Sequence, residues 1–165
     1  MAVTSVRQAQ SATITPAHFT RGDSMFYQPI LLPLLCMVLL TFLVWVFMYV
    51  TRLQEMNSKG IHPQKLATRA EVAAVLTQSA APADNLKNLF EMPVLFYVII
   101  LLSLVLLIQD ETLVRLAWTF VAMRFLHSLI HCTYNRTMHR FGAYFASSLV
   151  LIAMWVRVAG YVLTQ

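Results

Sequence analysis

Four long apolar stretches separated by polar segments organise the chain. They run from about Ile30 to Val50, Leu89 to Ile108, Leu113 to Cys132 and Phe141 to Leu163. A bilayer core about 30 Å thick is crossed by roughly 20 mainly apolar residues in a helix. Backbone groups inside lipid must satisfy one another, so each stretch predicts a transmembrane helix. Little more than Gln109–Thr112 separates the second and third stretches, which makes them an antiparallel hairpin. Pro93 removes a backbone donor near the start of the second span and predicts a kink or an irregular first turn there. The connection Glu71–Asp84 predicts a loop holding a short interfacial helix that Pro82 ends.

Composition supports the membrane assignment. Of 165 residues, 59% are hydrophobic and 12% are charged, and the mean hydropathy is +0.67. About a quarter of a soluble domain is charged, so this chain has too little polar surface for a water-soluble monomer. The expected fold is an all-α, integral membrane four-helix bundle over residues 26–165. Residues 1–25 read as a mobile segment rich in Ser, Thr, Ala and Gln, without the apolar region of a secretory signal. A mitochondrial presequence is the weaker alternative for it.

The net charge of +5 bears on topology, and no nucleic-acid motif accompanies it. Arg52, Lys59, Lys65, Arg69 and Lys87 lie between the first two spans, and Arg136 and Arg140 follow the third. The Gln109–Thr112 turn is acidic and the tail after Leu163 is uncharged. The positive-inside rule therefore places the basic connections in the cytoplasm and both termini on the opposite side, with Arg7 and Arg21 pulling the other way. Cys36 and Cys132 lie in apolar stretches without metal or disulfide spacing and read as packing residues. Arg157, near the end of the fourth span, is expected to snorkel to the far interface.

Polar residues inside the third span change the picture most. At about 100° per residue, Arg124, His127, Ser128, His131 and Asn135 fall on one stripe. An arginine at mid-membrane depth is costly and has no partner among acyl chains. The stripe is therefore expected to face other helices or a watery cleft. Asp84, Asn88 and Glu91 would share a face of the second span, and an ion pair between Glu91 and Arg124 would neutralise both charges. Helix-packing and ligand-binding roles both remain open for these groups. Glu91, His127 and His131 resemble a two-histidine, one-carboxylate metal set, but no glutamate lies within the histidine pair as it does in zinc proteases, and no metal is expected.

Asn88-x-x-Glu91-x-Pro93, then Arg124-x-x-His127, then Arg140 opening the fourth helix resemble the MAPEG superfamily, the membrane-associated proteins in eicosanoid and glutathione metabolism. The resemblance extends from about Leu31 to Val158, and its Glu-x-Pro form is similar to the bacterial branch. It implies a homotrimer in a bacterial inner membrane, with glutathione as co-substrate between subunits near the cytoplasmic side. By position, it implies that Asn88, Glu91, Arg124 and His127 bind glutathione and that Arg140 is catalytic and steadies the thiolate. Lys87 stands where the glutathione enzymes carry an arginine, as does Asp84, and His131 replaces a tyrosine; Lys87 and His131 join the implied binding set. The implied activity is a glutathione-dependent transferase or peroxidase acting on a lipophilic small molecule. The alternative is a non-catalytic protein on the same scaffold that binds membrane lipid or assembles a membrane complex, which Asp84 favours.

Overall fold

The computed structural model describes residues 28–164; the mobile segment expected over residues 1–25 lies outside them. Helix α1 spans Gln28–Ser58, α2 Arg69–Val75, α3 Ala80–Leu89, α4 Met92–Val105, α5 Glu111–Cys132 and α6 Thr137–Leu163. A single 3₁₀ turn, Pro63–Lys65, precedes α2. No strand occurs among the described residues. Four helical segments are long and apolar enough to cross a membrane, with α3 and α4 together forming the second. The protein is thus the expected all-α, four-span bundle.

Helix α1 continues well past Val50, where the apolar stretch ends. Its 31 residues extend about 46 Å, beyond the roughly 30 Å of a bilayer core. The reason lies in its inward face. Met37, Leu40, Val44 and Met48 are buried at helical spacing, and Glu55 continues that face two turns later. Leu35, Leu39, Phe42 and Val46 point outward and are exposed, as suits a helix whose outer face meets lipid. The helix stops at Gly60, whose φ of +60° suits a residue without a β-carbon. The Ile61 N–H then donates to Met56 O at 3.0 Å, closing the end of the helix.

Glu55 ties the connecting segment to the bundle. Its carboxylate accepts from Lys59 Nζ at 2.6 Å, Gln78 N at 3.0 Å, and Ser79 N and Oγ at 2.8 and 2.9 Å. Lys59 also donates to Val75 O at 2.8 Å, at the end of α2. A buried carboxylate thereby satisfies two backbone donors at the start of α3. Helix α2 has its own capping box, with Thr68 and Glu71 satisfying each other's backbone N–H groups. Those bonds, the Thr68 N–H first, hold the Glu71 carboxyl below its ordinary pKa.

The structure corrects the expectation for Pro82. The short helix of this connection lies earlier, over Arg69–Val75, and Pro82 sits in the first turn of α3 instead of ending a helix. The first turn tolerates proline because its missing N–H would have had no helical partner. Pro93 behaves as expected: the helix breaks at Phe90 and Glu91, and Pro93 occupies the first turn of α4.

Helix α5 lies at the centre and packs against α1, α3 and α6. Phe96 of α4 and Phe120 of α5 stack with centroids 4.6 Å apart, joining the two arms of the hairpin. At the far end, Asp110 caps α5 through Thr112 N at 2.9 Å and pairs with Arg157 of α6. Arg157 is thus held by a carboxylate, which sequence spacing did not suggest. Burial works to raise the Asp110 pKa, but the Arg157 hydrogen bond and charge, with the Thr112 N–H, outweigh it and hold the carboxyl below its usual value.

Two predictions follow from these anchors. Replacing Glu55 by Ala leaves the Gln78 and Ser79 donors without their acceptor and is expected to cost about 2–3 kcal/mol. Glu55→Gln, which keeps an acceptor oxygen, should cost less; thermal unfolding in detergent checks both. For Asp110, the low folded-state pKa contributes stability that is present above the unfolded-state value of about 4 and lost as pH falls through the folded-state value. Melting temperature recorded on acid titration should therefore fall less steeply in Asp110→Asn than in the parent.

Candidate functional site at the α5–α6 turn

Four residues of the expected polar stripe face inward as their spacing predicts, whereas Asn135 is exposed because α5 ends at Cys132, before reaching it. Arg124, His127, Ser128 and His131 are all buried. Ser128 Oγ donates to Asn85 Oδ1 at 3.3 Å, and Asn85 Nδ2 lies 3.4 Å from Cys132 Sγ. Asn85, itself fully buried, docks α3 onto α5. Sequence reasoning assigned it no role; its signal was a polar residue one turn before Asn88–Leu89, on the face that becomes buried.

Arg124 has the largest of the fully buried side chains. Its Nε, Nη1 and Nη2 have no hydrogen-bond partner. Two aromatic rings cover it instead: the guanidinium carbon lies 5.4 Å from the Phe120 centroid and 4.8 Å from that of Tyr144 on α6. The negative faces of these rings replace part of the lost hydration.

No ion pair forms between Glu91 and Arg124 among the described residues, which corrects the expected bridge. The expectation treated Asp84 to Glu91 as one continuous helix. The break before Pro93 instead leaves Glu91 as the exposed residue preceding α4. Tyr144 mediates between the two charges, since its ring lies over Arg124 and its hydroxyl donates to Glu91 Oε2 at 3.5 Å. An interfacial tyrosine is ordinary in a membrane helix, so nothing in the pattern distinguished this one.

A cleft of about 210 Å³ opens beside this group, lined by Asn88, His127, Thr137, Arg140, Phe141 and Tyr144. It brings together three of the expected site residues, Asn88, His127 and Arg140. The His127 Nδ1–H donates to Arg140 O at 3.1 Å. Arg140 Nη1 donates to Asn135 Oδ1 at 2.8 Å and to His131 Nε2 at 3.3 Å. Arg140 is half-buried, and its Nε and Nη2 make no hydrogen bond among the described residues. Those donors can meet an anion.

Lys87 lies apart from this cleft. It pairs with Asp84 at 2.7 Å, both side chains being more than half exposed. It lines a different cleft, of about 510 Å³, together with Arg52, Met48 and Val72. Neighbouring residues on a helix diverge by about 100°, so Lys87 and Asn88 present to different sides. Among the described residues, no three His, Cys, Asp or Glu side chains are grouped to hold a metal ion.

Compared with known families, residues 30–160 match the MAPEG family. The chain belongs to that family. No curated protein and no solved structure matches it. The family match covers every residue of the cleft, the whole of the second and third membrane-spanning segments, and all but the outermost residues of the first and fourth. As a MAPEG protein it is an integral multi-pass membrane protein of a family associated with glutathione and eicosanoid metabolism.

The roles of the Tyr144 ring and hydroxyl can be separated. Tyr144→Phe keeps the ring over Arg124 and loses the weak bond to Glu91, so its cost is expected to stay within about 1 kcal/mol. Tyr144→Leu removes the ring and should cost roughly 2 kcal/mol more. Melting temperatures of the two variants in detergent check the difference.

Proposed function

We propose that this MAPEG protein is a glutathione-dependent transferase or peroxidase acting on lipophilic electrophiles that enter from the bilayer. The observation that carries the reading is Arg140, which lines the cleft and whose guanidinium is tied by one nitrogen, with its Nε and Nη2 making no hydrogen bond among the described residues. A guanidinium beside a thiol favours the thiolate, which is the nucleophile. In the transferase reaction the thiol gives up its proton to solvent and the sulfur bonds to an electrophilic carbon of the second substrate, while either the bond to that carbon's leaving group breaks and the group departs with the electron pair, or a π bond at that carbon opens and its electron pair takes up a proton.

The remaining residues fit a peptide thiol. The Asn88 amide both donates and accepts, the His127 ring and Tyr144 hydroxyl line the same cleft, and exposed Glu91 lies beside Tyr144 to accept from an amine. Arg124 sits beneath Tyr144 and supports it, so its contribution to binding is indirect. A cleft of about 210 Å³ is smaller than the roughly 300 Å³ at which small-molecule sites begin. The ligand would therefore extend onto a further surface, which a homotrimer supplies. In this reading the basic connections face the cytoplasm of a bacterial inner membrane.

One observation favours the second reading, a lipid-binding or assembly protein on the same scaffold. Lys87 is engaged by Asp84 and turned from the cleft, so it supplies no charge for a glutathione carboxylate there.

Titration calorimetry of the detergent-solubilised protein with glutathione separates the two. Measurable binding heat is expected, with thiol conjugation of a hydrophobic electrophile. Arg140→Ala should lower kcat/KM by roughly 10–100-fold, the worth of a charge-assisted contact. No heat at millimolar glutathione, together with a co-purifying lipid, would establish the second reading instead.

A further inference from the structure

Arg140 is useful to a thiol only if its guanidinium stays at the cleft, and an arginine side chain on a helix start is otherwise free to swing into water. Two residues prevent this. Asn135, in the turn between α5 and α6, takes one Nη1 hydrogen on Oδ1 at 2.8 Å, and His131 takes the other on Nε2 at 3.3 Å. An arginine nitrogen can only donate, so His131 Nε2 must be the acceptor and a neutral ring carries its proton on Nδ1. Asn135 adopts φ +47°, a left-handed conformation that asparagine tolerates and most residues avoid. Its N–H donates to Ile130 O at 2.8 Å, which closes the C-terminal turn of α5.

We infer that Asn135 and His131 are positioning residues that hold the Arg140 guanidinium at the cleft with Nε and Nη2 turned to the ligand. The inference rests on the thiol-binding role proposed above for Arg140. The left-handed geometry matters because it brings a side-chain acceptor back over the first turn of α6 from a position that glycine would fill at least as comfortably. Backbone stability alone would be met by glycine there; the carboxamide serves Arg140. His131 complements it from the other side, as a rigid, buried acceptor on α5.

The Asn135 variants separate positioning from folding. Asn135→Gly preserves the turn and deletes the acceptor. Its melting temperature is expected to equal or exceed that of the parent. The thiolate fraction of bound glutathione, followed by ultraviolet absorbance across pH, is expected to fall about tenfold at a given pH, the worth of one charge-assisted hydrogen bond. Asn135→Asp, which keeps the acceptor oxygen, should restore it. His131→Gln, with an amide oxygen near the place of Nε2, should retain more thiolate than His131→Leu. The inference is overturned if Asn135→Gly titrates like the parent while Arg140→Ala is shifted. It is also overturned if Asn135→Gly loses melting temperature and activity together and Asn135→Asp rescues neither.

Nitrogen-15 NMR of the His131 ring in the full-length protein tests the clamp independently of any ligand. A neutral ring protonated on Nδ1, with Nε2 accepting, is expected in the parent and should be lost in Arg140→Ala. A parent ring protonated on Nε2 overturns the clamp whether or not glutathione binds, whereas failure to bind glutathione with the expected tautomer present removes the proposed function and leaves the clamp standing.

Discussion

A guanidinium sealed inside an apolar bundle constrains everything around it. Arg124 is fully buried, with no hydrogen-bond acceptor, on a helix that lipid would otherwise surround. A charged group in that position is tolerated only where the protein replaces water's stabilisation. Here Phe120 and Tyr144 close over it from two helices, so α5 and α6 must meet along that line. That meeting sets the other positions. It places Tyr144 within reach of Glu91 and brings the first turn of α6 against His127 and His131. The cleft is therefore a consequence of how the bundle covers a buried cation.

Much of this was legible in the sequence because helical periodicity is reliable where a segment is long and continuous. The third apolar stretch placed Arg124, His127, Ser128 and His131 on one face, and all four are buried. Asn88, His127 and Arg140 were named from the resemblance to the MAPEG family, and they line one cleft. The failures occurred where continuity failed. The Glu91–Arg124 pair assumed a helix running through Phe90, whereas the chain breaks there before Pro93. Tyr144 and Asn85 lie on helices whose register against α5 is a tertiary fact, and neither residue type is unusual in its segment. Glu55 was missed because the first apolar stretch ends at Val50, while its inward face carries on to a carboxylate that binds a segment more than twenty residues away in sequence.

Two opposite solutions to polar burial therefore operate in one small bundle. Near the connecting segment, Glu55 is buried with a full set of donors, two of them backbone N–H groups at a helix start. Such a group is specific, because its geometry fits one arrangement of chain. Arg124 has no such set, and its aromatic cover is tolerant of small shifts because a ring face attracts a cation over a broad range of angles. The connection is thus fixed by directed bonds, while the centre of the bundle is held by packing and a diffuse electrostatic contact.

The contrast between Arg124 and Arg140 decides which arginine can meet a ligand. The two are on adjacent helices and share Tyr144 as a near neighbour through the cleft and the stacked ring. Arg124 has all its donors free but none exposed, so it presents no donor to a ligand at the surface. Arg140 lines the cleft, has two donors committed to Asn135 and His131, and keeps the rest without a hydrogen bond among the described residues. Partial commitment is what makes a cation useful: unbound, it would lose orientation to side-chain entropy, and fully satisfied, it would have no donor left for an anion. Of the two, Arg140 is therefore the one that the thiolate role proposed above requires, and Arg124 keeps α5 and α6 in register beneath Tyr144.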